Sequence, residues 1–419
     1  MASPAPAQVA LPDVGVRLPE VALPGPVVDV QTPALAARLD VRKMQVRARV
    51  RAYPDRLALD PRGELIVRDE LLAEPANDAA LAAALAAGFQ VLRRQEAAAL
   101  DLNFYVLQPP PGRSVGDSLR VLRKLDPTGR YDFHHVLGQG GSVGGANVAA
   151  PKKTPPTAGP IGVRVGLIDG GVATSHEVFA GLEIVTYGCG DRSVPSAHGT
   201  AVASLLAETL GSRSSRPPGH VQLLAADVYC EDAAGGSVER VIESLAWLAQ
   251  QQVPVINVSL VGPRNRLLER AVARVIERGH AVVAAVGNDG PAAPPLYPAA
   301  YEGVIGVSGI DRRGRALLEA CRGPHVDFAA LGADLRAAAI PQGRADVRGT
   351  SYAAPQVAAM LALQMPRTDP AALSVAVESL ARDATDLGPR GRDSVYGFGW
   401  VVVPTTMTGP APLMSNDGD

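Results

Sequence analysis

A chain of 419 residues with 47% apolar content is long enough for one large domain and a smaller one, each with a core of its own. A formal net charge of −2 and the lack of a long basic run argue against a surface for nucleic acid or anionic membrane. No apolar run reaches the roughly 20 residues that span a bilayer, "DAALAAALAAG" being short and Ala-rich.

In chain order, "MASPAPAQVALPDV" has neither the basic n-region nor the apolar h-region of a secretory signal, and residues 1–35 read as an extended or disordered leader rich in Pro, Ala and Val. From "GELIVRDELL" onward the pattern is strand, helix "DAALAAALAAG", strands "FQVLRR" and "LNFYVLQPP", helix "SVGDSLRVLRKL" and strand "YDFHHVL". This β-α-β-β-α-β order predicts a small ferredoxin-like α+β domain over 36–137. The Gly-, Pro- and Lys-containing stretch 138–160 is the expected flexible linker. Beyond it, apolar strands alternate with amphipathic helices; Val238, Val241, Ile242, Leu245 and Leu248 share one helix face. An α/β domain over 161–403 follows, a mostly parallel sheet covered by helices on both faces. Residues 404–419 are a Pro-rich polar tail.

The chemistry-bearing residues sit at the ends of these strands, where ligands gather in open parallel sheets. Asp169 closes "VRVGLID" ahead of two glycines, His198 starts the small-residue helix of "SAHGTAVASLLA", and Asn288 closes "AVVAAVGNDG". Ser351 stands at the start of a helix in "RGTSYAAPQVAAMLALQM". Each has a bland explanation: a helix cap for Ser351, a turn for Asp169 and Asn288, a structural imidazole for His198. Together they supply a nucleophile, a base, a carboxylate to orient it and an oxyanion donor. The order Asp, His, Ser is that of subtilisin, and no G-x-S-x-G elbow surrounds Ser351. His134, His135, His176, His220, His280 and His325 have no comparable setting.

The segments "VGLIDGGV", "HGTAVASLLA", "VINVSLVGP", "AAVGNDGP" and "GTSYAAPQVAA" resemble, in order and spacing, the signatures of subtilisin-like serine peptidases over roughly 161–400. The resemblance implies a serine endopeptidase with Ser351 as nucleophile, His198 as general base and acid, Asp169 as its orienting carboxylate and Asn288 as oxyanion donor. It implies that the strand holding Ser259, Leu260, Val261 and Gly262 pairs with extended substrate, and that Ala285 and Gly287 form the other wall of the specificity pocket. It further implies that residues 36–137 are a propeptide-like domain, inhibiting and chaperoning its own enzyme, with self-processing near 138–160. Substrates are then peptides or proteins, with no nucleic-acid partner. No cofactor is needed for the chemistry and no metal ligand set is assigned; structural calcium is left open. The expected location is secreted or periplasmic, a signal having been removed, and a cytoplasmic one is left open.

The chain departs from the family pattern in three places. Tyr352 follows the nucleophile where many relatives have Met, which removes an oxidation-sensitive sulfur. Val261 and Leu296 stand where relatives often have Gly, so both narrow the pocket, and small residues such as Ala are expected before the cleaved bond. Among the three cysteines no metal-ligand spacing occurs and three pairings are open; Cys189, in the loop before His198, and Cys230, just after a strand that should end at the same edge, are the pair expected to bond. A catalytically silent peptide-binding relative and an esterase using the same triad are the competing readings.

Overall fold

The computed structural model describes residues 33–139, 142–143, 162–190, 192, 194–213 and 221–403. Pro33 opens helix α1 (Pro33–Ala52), so the last residues expected in the leader are already helical, while 1–32 lie outside the described residues. Proline is suited to a first helical turn, where its missing N–H costs nothing.

Seven elements make the N-terminal unit: strands β1 (Leu57–Leu59) and β2 (Leu65–Glu74), helix α2 (Asp78–Ala86), strands β3 (Gln90–Ala97) and β4 (Leu102–Gln108), helix α3 (Val115–Leu125) and strand β5 (Arg130–His135). The sheet is antiparallel, ordered β5-β2-β4-β3, with β1 folded back as a hairpin on β2. This is the expected ferredoxin-like order. Both helices begin at a side-chain cap, Asn77 accepting from Ala80 N and Ser114 from Asp117 N. The period-two alternation of β4 splits its side chains: Leu107 joins Leu119 and Leu122 under the unit's own helices, while Leu102, Phe104 and Val106 face away from them.

Two short strands follow, β6 (Gly138–Gln139) and β7 (Ser142–Val143). The stretch expected as open linker therefore contains paired backbone; its remainder lies outside the described residues. The order comes from the partners, since each strand lies against an edge whose N–H and C=O groups would otherwise be unpaired.

The second unit holds β8 (Val163–Asp169), β9 (Glu183–Tyr187), α4 (Ala197–Arg213), β10 (Val221–Asp227), α5 (Val238–Gln250), β11 (Val255–Val258), β12 (Leu260–Val261), α6 (Arg266–Glu277), β13 (Ala281–Ala285), β14 (Ile305–Ile310), β15 (Phe328–Leu331), β16 (Leu335–Ala338), β17 (Arg344–Arg348), α7 (Ala354–Ala362) and α8 (Pro370–Asp383). Seven strands form a parallel sheet in the order β15-β14-β13-β11-β8-β10-β9. Alternate residues feed two cores. Val165, Leu167 and Val283 pack with α4, α7 and α8; Ile168, Ile256 and Val282 pack with α5 and α6. The outward face of the N-terminal sheet, with Leu72, Phe104 and Val106, belongs to that second core. No helix among the described residues is long and apolar enough to cross a membrane. The tail from 404 lies outside the described residues.

Candidate active site

Strands β8 and β10 run in register, pairing Asp169 with Asp227 at their carboxyl ends. There the chain turns through Gly170 and Gly171, and Asp169 Oδ1 accepts from Gly170 N at 2.6 Å. Helix α4 starts hard against this turn. A Cβ on Gly199 would lie 2.1 Å from Gly170 O, which is why the residue after the histidine must be Gly for His198 to approach. His198 Nδ1 then lies 2.8 Å from Asp169 Oδ1, both side chains being buried. That contact fixes Nδ1 as the protonated nitrogen and leaves Nε2 as the basic one. Among the described residues, His198 Nε2 and Asp169 Oδ2 have no hydrogen-bond partner.

Ser351 stands in the turn between β17 and α7, with Pro355 in the first turn of that helix. It is fully buried, and its Oγ donates to Ser259 O at 3.4 Å. The return contact, Ser259 Oγ to Ser351 O at 3.0 Å, ties the end of β11 to the nucleophile turn; Asn257 Nδ2 donates to Ser259 Oγ at 2.9 Å. Asn288 Oδ1 accepts from Thr350 N at 3.1 Å, and Gly287 N donates to Thr350 Oγ1 at 3.2 Å. With its oxygen so committed, the donor end of the Asn288 carboxamide is Nδ2. Tyr352, buried, sets its ring 5.5 Å from that of His198; burial first, and then the Asp169 charge, push its phenol pKa upward.

The two walls expected for a specificity pocket are stitched together. Gly262 and Tyr297 exchange main-chain hydrogen bonds of 2.9 Å in each direction, which holds Leu296 beside β12. A Cβ on Gly287 would fall 2.5 Å from Leu296 Cδ1, so that side chain lies directly on the backbone at 287. Val261 and Leu296 are 3% and 5% exposed, Val261 lining the cleft and Leu296 lying against the opposite wall at Gly287. Ala285 and Gly287 are buried on the opposite wall. Free Cys321 is buried behind Gly287, and Cys189 and Cys230 form a disulfide with Cα atoms 5.2 Å apart. The latter follow β9 and β10, neighbours in the sheet, which brings the two loops to one edge.

A cleft of about 980 Å³ adjoins the site, lined by Gly138 and Gln139 of β6, Val261, Asn288, Arg348 and, from α1, Arg42 and Arg49. Arg42 pairs with Glu64 at 2.6 Å and with Asp289, next to Asn288, at 3.2 Å. Sequence reading missed this helix because its apolar face, Val46 and Val50 against Leu57 and Leu65, is short. It also missed the charged rim where the units meet. Arg93 bonds Glu70 at 2.7 Å and Glu239 of α5 at 2.8 Å, and buried His134 donates through Nδ1 to Glu70 at 2.8 Å. Burial would raise the Glu70 pKa, yet the bonds from His134 and Arg93 outweigh it and hold the carboxyl at about 2. His134 and His135, set aside in sequence, thus work at the contact between units; their carboxylate partners, Glu70 and Asp60, lie 64 and 75 residues earlier in the chain. His135 lies 3.4 Å from Asp60 and 3.1 Å from Asn265 of the second unit.

Residues 161–399 match the subtilase family profile. Minor extracellular protease Epr of Bacillus subtilis is 30% identical over 57% of this chain and 37% of its own length. Subtilisin DY of Bacillus licheniformis is 31% identical over 56% of this chain and 86% of its own, and Subtilisin Savinase of Lederbergia lenta is 31% identical over 57% and 88%. Among solved structures, fervidolysin of Fervidobacterium pennivorans superposes with a TM-score of 0.65 at 17% identity, over 85% of this chain and 63% of that one. The chain therefore spans little more than a third of Epr and under two thirds of fervidolysin. With the family profile matched over more than half its length, the chain belongs to the subtilase family of subtilisin-like serine peptidases.

Proposed function

We propose that this protein is a serine endopeptidase that hydrolyses peptide bonds through an acyl-enzyme on Ser351. The observation that carries the reading is the His198–Asp169 contact of 2.8 Å beside a nucleophile turn tied to Ser259 and Asn288. His198 Nε2 takes the Ser351 proton as Oγ attacks the carbonyl carbon, and returns it to the leaving amine. Asp169 holds the imidazole in the required tautomer, and Asn288 Nδ2 with the Ser351 N–H receives the developing oxyanion. The Ser351 hydroxyl donates to Ser259 O, and catalytic hydrogen bonds commonly tighten only in the complex with substrate. Substrates are peptides or proteins in extended form, and β12 is the edge they would join. The domain at 36–137 acts as inhibitor and folding assistant of the same chain. An extracytoplasmic setting agrees with the Cys189–Cys230 bond, since disulfides persist in oxidising compartments.

Fluorophosphonate labelling and peptide hydrolysis, each compared with Ser351→Ala, test the reading; labelling or turnover that survives the substitution overturns it. Asn288→Ala is expected to lower kcat by about 10² to 10³ with KM nearly unchanged, the size known for the equivalent change in subtilisin itself. A change confined to KM would remove Asn288 from the oxyanion site.

A further inference from the structure

A second cavity, of about 570 Å³, lies at the seam between the two units and shares no lining residue with the cleft at Ser351. Six arginines line it. The N-terminal unit supplies Arg62 from the β1–β2 turn, Arg123 near the end of α3 and Arg130 at the start of β5. The peptidase unit supplies Arg264, Arg266 and Arg270, the last two at i and i+4 on one face of α6. The wall also carries three carboxylates, Asp60, Asp132 and Glu269.

Those carboxylates leave much of the arginine charge unmatched. Asp60 and Asp132 are buried and turned into the backbone: Asp60 Oδ1 accepts from Arg62 N and Glu64 N, and Asp132 Oδ2 accepts from Arg266 N. Glu269 is taken up by Arg264 at 2.7 Å, while Glu74, outside the lining, is shared by Arg130 at 3.4 Å and Arg270 at 3.9 Å. Arg270 Nε is buried without a hydrogen-bond partner, and the guanidinium groups of Arg62 and Arg266 have neither an ion-pair nor a hydrogen-bond partner, among the described residues. Burial, and then the charges of Arg266 and Arg62, lower the Arg123 pKa against the pull of Asp132, 3.5 Å away. Like charges gathered in a concave site with donors unspent are held at a cost that a bound anion removes.

We propose that this cavity binds a small multivalent phosphate of the pyrophosphate class, gripped by both units at once. Guanidinium groups donate in pairs to phosphate oxygens, a geometry a lysine cannot supply. Three arginines on each side favour two linked phosphates over one, and the volume lies in the range of small-molecule sites. Because each unit contributes half of the arginines, the ligand binds the docked pair in preference to either unit apart, and so strengthens the contact between them. The site is independent of the chemistry at Ser351.

The test uses the full chain with Ser351→Ala, so that the self-cleavage proposed for the 138–160 linker cannot occur. Calorimetric titration with pyrophosphate should show saturable binding of one ligand per chain, and the unfolding temperature should rise with pyrophosphate beyond the effect of sodium chloride at equal ionic strength. Arg62→Ala combined with Arg266→Ala, both exposed positions, should weaken binding by about tenfold or more. Arg266→Lys, which keeps the charge and loses the fork, should weaken it by less than the double change. ADP titrated in parallel separates two sources of the same phosphate pair: affinity above that of pyrophosphate assigns the site to a nucleotide, affinity at or below it to the free anion, and either result upholds the site. Binding that does not saturate, a rise in unfolding temperature that chloride reproduces, or unchanged affinity in the double variant overturns it.

Discussion

The N-terminal unit meets the peptidase unit at the cleft and at a docking face, and the two contacts are made of different materials. At the cleft, β6 and β7 lie on β12 and β17 through main-chain pairing. At the docking face, Leu72, Phe104 and Val106 share one core with Val241, Ile242 and Leu245 of α5, rimmed by Arg93, Glu70 and Glu239. Backbone pairing makes the same main-chain bonds with many sequences, so another extended peptide that fits the pockets can take its place. A shared core fits this pair of surfaces and no arbitrary peptide. One contact is therefore exchangeable and the other is not.

The sharpest way to break the comparison is Ser351→Ala. Turnover on added peptide should fall by a factor on the order of 10⁶, the size known for subtilisin itself, while the docking face and the fold are untouched. Thermal unfolding of the variant should coincide with that of the uncut wild type; a large shift in stability would mean that the serine also carries structure. Phe104→Ala attacks the other contact. Truncating a buried Phe costs about 3–5 kcal/mol, and the loss should appear in denaturant unfolding as a lower midpoint. A change under about 0.5 kcal/mol would show that the sheet and α5 do not share a core.

The rim adds a pH dependence to the docking face alone. Burial would raise the Glu239 pKa, but Arg93, His134 and Gln95 together hold it below its usual range. A depressed acid contributes its full docking strength above its ordinary titration range and loses it as pH falls through the lowered value. If the chain is cut between the units, by the proposed self-cleavage or by an added protease, the two fragments should stay together on size separation at neutral pH and part on acidification. Glu239→Gln should flatten that curve; a curve of unchanged shape would place the titration elsewhere. The smallest effect is expected at Glu243, one turn along α5, whose pKa is pushed up to about 7 by burial and by the Glu239 charge. A raised acid has the opposite sign: its ionisation costs stability as pH rises through about 4.5 to 7. Glu243→Gln should be more stable than wild type at pH 8, by on the order of 1–2 kcal/mol, and equal to it near pH 4, as read from thermal unfolding at the two pH values.

Much of this was legible in the sequence wherever local pattern and tertiary role agree. The apolar runs of β8, β11 and β13 read as buried parallel strands because both their faces are covered. The segments around Asp169, His198 and Ser351 read as a set because each sits where a strand or helix begins or ends. The rest depends on partners far along the chain. His134 looked idle because Glu70 lies 64 residues before it, and Glu239 is further away still in the other unit. Helix α1 packs on the rest of the chain through only a short apolar stripe, Val46 and Val50, among many arginines, too little for periodicity to pick out. Gly138–Gln139 reads as linker by composition; only the edge presented by Leu260 and Val261 makes it a strand.

That short strand has a kinetic meaning. So long as the docking face holds, the segment ending in Gln139 is tethered beside Leu260 and acts as an intramolecular ligand, at an effective concentration of about millimolar. Under the proposed inhibitor role, a peptide from solution would compete with it on those terms: the apparent KM would be inflated while the tethered segment stays docked and would fall once it diffuses away. If the chain is cut between the units, as proposed, the cut and the release of the peptidase unit would be separate events, with a lag between them set by the off-rate of a hydrophobic interface and not by the chemistry at Ser351.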